Sequence, residues 1–117
     1  YGMFYLATSF NQPIGNWKFP KVENMSYMFC NVTSFNQPIG NWKFPNVINM
    51  NGMFFSAESF NQPIGGWKFP NVKYMNGMFF SASSFDQDLS EWDLKGKEKD
   101  DIFDGCPIKD EYKPKMK

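Results

Sequence analysis

The chain has 117 residues, 42% of them apolar and 20% aromatic, with 14 Phe, enough apolar material for one continuous core. Its 12 Lys balance 12 Asp plus Glu, and it has neither Arg nor His. The neutral balance and the lack of Arg exclude a dedicated nucleic-acid binder, the lack of His removes the commonest general base and metal ligand, and no apolar run approaches the roughly 18 residues that cross a membrane.

The chain opens on Tyr-Gly-Met-Phe, in register with Ser26–Phe29, Asn51–Phe54 and Asn76–Phe79. It therefore begins in mid-repeat. This reads as a piece of a longer protein or a matured product, with an uncapped, apolar first face prone to end-to-end self-association. Next comes Ser9–Trp17 (SFNQPIGNW), which returns at Ser34–Trp42, with one change at Ser59–Trp67, and degraded at Ser84–Trp92. The step is 25 residues each time, as from Ser9 to Ser34. Phe10, Phe35, Phe60 and Phe85 thus form one column, and Trp17, Trp42, Trp67 and Trp92 another. A fixed period with repeated large apolar side chains predicts units that stack on their own copies, since one unit alone cannot bury its faces.

Within one unit, Ile39-Gly-Asn-Trp42-Lys-Phe44 has the spacing apolar-x-x-apolar-x-apolar, the strand signature of a leucine-rich repeat. Pro45 ends that strand. Asn49 is the expected N-cap of a short helix over Met50–Phe54, where apolar residues fall at i, i+3 and i+4. Ser56–Ser59 is a loop, and Phe60–Pro63 turns the chain back. The expected fold is α/β: a leucine-rich-repeat-like solenoid of about four 25-residue repeats, with one short parallel strand per repeat alternating with short helices. It spans residues 1–107, starts mid-repeat, and closes with a C-terminal cap over 93–107 that ends in a last helix. Residues 108–117 form a frayed, charged tail.

Asn11, Asn36 and Asn61 form a polar column, read as a ladder whose amides satisfy backbone groups of successive turns in a buried corner. Cys30 and Cys106 lie about three repeats apart, too far for a disulfide at roughly 4.8 Å per turn, and are expected to be unpaired thiols. Asp86-x-Asp88 opens like a calcium loop, but Glu91 and Lys97 stand where Gly and Glu are needed. Asn24 and Asn31 head glycosylation sequons that matter only in a glycosylating host.

The phrase NMSYMF…SFNQPIGNW at this period closely resembles the mycoplasma lipoprotein-type surface repeat, related to the BspA-like leucine-rich-repeat family. The resemblance covers Tyr1 to about Pro107, and Asp104–Ile108 (DGCPI) looks like that family's usual ending. In the family the residue after the Trp is commonly Asp; here it is Lys18, Lys43 and Lys68, with Asp only at Asp93. The resemblance implies a repetitive surface or secreted protein, in some cases linked to adhesion.

No phosphate loop, metal cluster or nucleophile motif is present, so a non-enzymatic protein without cofactor, catalytic residue or metal site is expected. The candidate interaction face is the row Lys18, Lys43 and Lys68, and the four Trp with Phe10, Phe35, Phe60 and Phe85 are read as core. The expected role is a surface scaffold for adhesion to a protein or an anionic glycan, at the cell surface or secreted. The alternative is a structural spacer or assembly component, a cell-envelope stalk or a virion part of a large virus. Neither nucleic acid nor a membrane span is expected.

Overall fold

A computed structural model describes residues 2–4 and 7–116. Tyr1, Tyr5, Leu6 and Lys117, which the expected repeat and tail include, lie outside the described residues. The 25-residue period is realised as turns of chain laid one on another. Backbone bridges, all parallel, join Asn24 to Asn49, Asn49 to Tyr74, and Tyr74 to Glu98, one per turn. From each bridge every second N–H donates to the next turn. Met25, Tyr27, Phe29 and Asn31 donate to the carbonyls of Asn49, Asn51, Met53 and Phe55, for example at 2.8 Å for Phe29. The two following turns repeat the pattern, as from Phe54 to Met78 and from Phe79 to Ile102.

This is not the expected α/β leucine-rich-repeat-like solenoid. Among the described residues the one regular helix is a 3-10 turn over Asp110–Tyr112, and no continuous strand forms. The reason lies in the backbone. The stretch predicted as helix, Met50–Phe54, holds Gly52 at φ 58, in the left-handed region. A left-handed residue breaks a right-handed helix after one turn. Ser56 at φ 55 does so again four residues on. The N–H groups then point at the neighbouring turn instead of along a helix axis. The i, i+3, i+4 pattern of Met50, Met53 and Phe54 is produced by overlapping reverse turns, in which Phe55 N–H bonds Gly52 O and Ala57 N–H bonds Phe54 O. The expected closing helix fails alike, with Asp101 at φ 56 and Gly105 at φ 72.

The predicted strand Ile39–Phe44 fails for a related reason. Trp42 N–H bonds back to Ile39 O at 3.2 Å, which closes a reverse turn. The same closure recurs at Trp17, Trp67 and Trp92. Gly15, Gly40 and Gly65 sit within these turns, where a Cβ would stand 2.7, 2.9 and 2.4 Å from the carbonyl oxygens of Pro38, Pro63 and Asp88 in the next turn. Glycine is what lets the turns approach so closely.

The core is a set of aromatic files. Phe4, Phe29, Phe54, Phe79 and Phe103 stack with centroids 5.4–5.7 Å apart. Phe10, Phe35, Phe60 and Phe85 stack at 5.8–5.9 Å, and Trp42, Trp67 and Trp92 at 6.2–6.3 Å. Between them lie the buried methionines Met25, Met50 and Met75, and Met28, Met53 and Met78, each 3% exposed or less. Phe103 shows that the last turn keeps its place in the files although the register has slipped. The step shortens to 24 where Asp100 N–H bonds Asn76 and to 23 where Lys109 N–H bonds Asp86.

The stretch expected to fray is docked. Ile108 is buried, Pro114 is buried, Leu89 N–H bonds Tyr112 O at 2.8 Å and Leu94 N–H bonds Lys115 O at 3.2 Å. Asp93 and Lys115 form a parallel bridge, so residues 109–115 lie along the fourth turn as the start of a fifth.

Candidate interaction face

The first three turns carry the run Trp-Lys-Phe-Pro just after their Ile-to-Trp reverse turns, and the fourth has Trp92-Asp93-Leu94-Lys95 after its Leu89-to-Trp92 turn. In the two middle turns the residues alternate strictly: Trp42 and Phe44 are buried while Lys43 and Pro45 are exposed, and Trp67 and Phe69 are buried while Lys68 and Pro70 are exposed. The indole fixes this alternation. Trp42 Nε1 donates to Ile14 O of the preceding turn at 3.1 Å, Trp67 Nε1 to Ile39 O at 3.0 Å, and Trp92 Nε1 to Ile64 O at 3.1 Å. With the indole held inward, the next side chain must point out. Trp17 has no such acceptor among the described residues and is 37% exposed, against 1–3% for Trp42, Trp67 and Trp92.

Lys18, Lys43 and Lys68 are all exposed, one per turn. No salt bridge among the described residues engages them. The row ends in a change of sign. Asp93 stands where Lys68 stands one turn earlier, and Glu91 where Gly66 stands. Between these turns lies a shallow depression of about 360 Å³ lined by Lys68, Pro70, Glu91, Asp93 and Lys97. Lys97 takes the place of Val22, Val47 and Val72. Its stem crosses the apolar edge, its Nζ donates to Val72 O at 2.6 Å, and the ammonium stands 5.7 Å over the Phe69 ring. Burial pushes its pKa down, partly opposed by Asp93.

Of the residues read as core, Phe35, Phe60 and Phe85 are fully enclosed, while Phe10 is half-buried in the first turn. The asparagine column is a ladder. Asn11 Oδ1 accepts Asn36 N–H, Asn36 Oδ1 accepts Asn61 N–H, and Asn61 Oδ1 accepts Asp86 N–H, each at 2.9 Å. Gln37, Gln62 and Gln87 donate to the same oxygens. It runs along the surface and not in the buried corner expected, since Asn11 and Asn36 are exposed. Asp86 ends it by accepting both the N–H and the ammonium of Lys109. That hydrogen bond holds the Asp86 carboxyl below its ordinary range and raises Lys109.

Cys30 and Cys106 are unpaired, and burial pushes both thiols up. Among the described residues no group of three His, Cys, Asp or Glu is placed to hold a metal ion, and no helix is long and apolar enough to cross a membrane. Sequence reasoning missed Lys97 and the docked segment 108–116. The signal for Lys97 was a lysine in a valine column. The segment's signal was hidden by the shortened step.

The family described as "Mycoplasma protein of unknown function, DUF285" matches residues 1–111. That description carries no leucine-rich-repeat or BspA assignment. No curated protein and no solved structure matches the chain. With nearly its whole length matched, the chain belongs to the mycoplasma DUF285 family, whose function is unknown.

Proposed function

We propose that the protein is a non-enzymatic surface scaffold that holds a protein or an anionic glycan on its lysine row. The observation that carries this reading is the row itself: Lys18, Lys43 and Lys68 exposed at one position of successive turns, clear of any salt bridge among the described residues. A row spaced by the turn height presents charge at a fixed period, which suits a polyanion with repeated acidic groups. The likeness of the repeat to BspA-like surface proteins supports a cell-surface or secreted location. The test is an array of matrix proteins and anionic glycans, probed with wild-type protein and the double variant Lys43→Glu/Lys68→Glu. Selective binding that weakens with salt and is lost in the variant supports the reading. Binding equal in both proteins refutes it.

A second reading rests on the other end of the stack. The first turn leaves Met3 63% and Trp17 37% exposed over an apolar groove of about 420 Å³ that Phe19, Val22 and Met28 also line. Each later turn buries the equivalent face, so a further repeat of the same chain or the end of a second copy would cover this one, and the second of these suits a stalk or particle component built end to end. Sedimentation velocity at rising concentration decides: self-association abolished by Trp17→Glu favours assembly, and a monomer throughout removes it.

A further inference from the structure

Across the segment that carries the inter-turn ladder runs the column Tyr27, Gly52, Gly77 and Asp101, with φ of 57, 58, 61 and 56. The two middle members have no side chain, and over them opens a groove of about 330 Å³. Tyr27 closes one end. Its ring lies over Gly52, with Cε1 2.4 Å from where a Cβ would stand. Asp101 closes the other end beside Asp100. One wall is the half-buried pair Phe55 and Phe80, stacked at 4.8 Å. The opposite side is Asn76, whose amide is already committed to Glu98 and whose Oδ1 accepts Asp100 N–H. The Asp100 and Asp101 carboxylates have no salt bridge among the described residues.

An apolar wall ending in two uncommitted carboxylates matches one kind of side chain, with an aliphatic stem and a cationic head. A bare metal ion would leave the phenyl wall unused, and an anion would be repelled. The molecule makes the same recognition internally: Lys109 pairs with Asp86 and holds its ammonium 5.1 Å over the Tyr112 ring. We propose that the Gly52–Gly77 groove takes a lysine side chain of a partner polypeptide, stem along Phe55 and Phe80, ammonium on Asp100 and Asp101. The groove is open along its outer side, so the partner's main chain can pass over it. Asp101 takes the same left-handed backbone as Gly52 and Gly77 but adds a carboxylate to the column. This site is separate from the lysine row and does not depend on it.

The experiment is an NMR titration of the full chain with the capped peptide Ac-Gly-Lys-Gly-Lys-Gly-NH2 and with the same peptide acetylated at both lysines. The expected result is saturable shifts at the Gly52, Gly77 and Phe80 amides that the acetylated peptide does not cause. Asp101→Asn should weaken binding at least threefold. Asp101→Gly should weaken it as much while raising the unfolding midpoint, because glycine relieves the backbone. Lys43→Glu/Lys68→Glu should leave these shifts unchanged, which separates this site from the lysine row. Shifts spread equally over Asp110 and Glu111 would mean bulk charge and overturn the proposal. So would wild-type affinity in both Asp101 variants. Tighter binding of free spermidine than of the peptide would overturn the choice of a polypeptide partner.

Discussion

Gly65 and Gly66 are neighbours in the chain and should respond to alanine with opposite signs. A Cβ on Gly65 would stand 2.4 Å from Asp88 O, a backbone atom of the next turn. Ordinary carbon–oxygen contact begins near 3.3 Å, so the two turns must part by about 0.9 Å there. They cannot part freely. The Trp67 and Trp92 rings stack at 6.2 Å beside this point, and Trp92 Nε1 is bonded across the same gap to Ile64 O at 3.1 Å. A gap of that size forfeits a quarter to a half of each dispersion contact it opens, and overpacking of this kind costs about 1–3 kcal/mol. Gly65→Ala should fall at the upper end, near 3 kcal/mol. A Cβ on Gly66 meets nothing within 4 Å, and its φ is not left-handed. The same position holds Asn16, Asn41 and Glu91 in the other turns. Gly66→Ala should therefore stabilise by about 0.4–1 kcal/mol through the unfolded chain. The assay is urea unfolding followed by tryptophan fluorescence, with m-values compared to confirm a shared transition. Equal destabilisation by the two variants would refute close turn-to-turn approach at Gly65 as the structural constraint.

The tryptophan file predicts a gradient. Trp67→Phe removes a buried indole hydrogen bond and part of a stacked ring and should cost about 2–3 kcal/mol, whereas Trp17→Phe, exposed and without that bond, should cost less than about 0.5 kcal/mol; equal losses in urea unfolding would contradict the role given to the Ile carbonyls. The Asp86–Lys109 pair predicts how docking of residues 108–116 varies with pH. Asp86 is depressed, so its contribution is present above its unfolded value of about 3.9 and lost as pH falls through the lower folded value; Lys109 is raised, so its contribution is lost as pH rises through a value above about 10.4. Limited proteolysis after Lys109 should accelerate at both extremes, and Asp86→Asn should flatten the acid limb. Lys97 carries the opposite sign to Lys109. Its pKa is lowered on folding, so stability should rise with pH between its folded and unfolded values, and Lys97→Met, which keeps the stem without the charge, should remove that rise in urea midpoints measured across the alkaline range.

The period was legible because stacking demands it. Phe35 must meet Phe60, and Trp42 must meet Trp67, whatever the backbone does between them. The element types were not legible, because a pattern of apolar spacing reports which side chains face inward and not how the chain turns them there. Met50, Met53 and Phe54 lie inward on a helix or on overlapping reverse turns alike. The discriminating residues were Gly52 and Gly77, set in one column with Gly2. A helix tolerates a stray glycine, but a column of glycines points to a backbone position with positive φ. The Ile-Gly-Asn-Trp run misled in the same way. Its apolar-x-x-apolar spacing is four residues, which is also the length of the turn that Trp42 N–H closes on Ile39 O.

The candidate site was legible where it followed the period and invisible where it broke it. Lys18, Lys43 and Lys68 were found because each repeats, and the structure puts all three outside. The groove over Gly52 and Gly77 depends on differences between repeats: Tyr27 and Asp101 at its ends, and Phe55 and Phe80 where the first repeat has Cys30. A column read for its average hides such variation. In a stack, however, each residue keeps its column address, so a departure from the average is a departure at a known point in space. Tyr27 and Asp101 are the two described non-glycine members of a left-handed column whose others, Gly2, Gly52 and Gly77, are glycine. Asp101→Gly separates the two reasons a residue can be there. Greater stability with unchanged peptide binding would make Asp101 an unselected strain, and greater stability with weaker binding would tie the strain to the groove it closes.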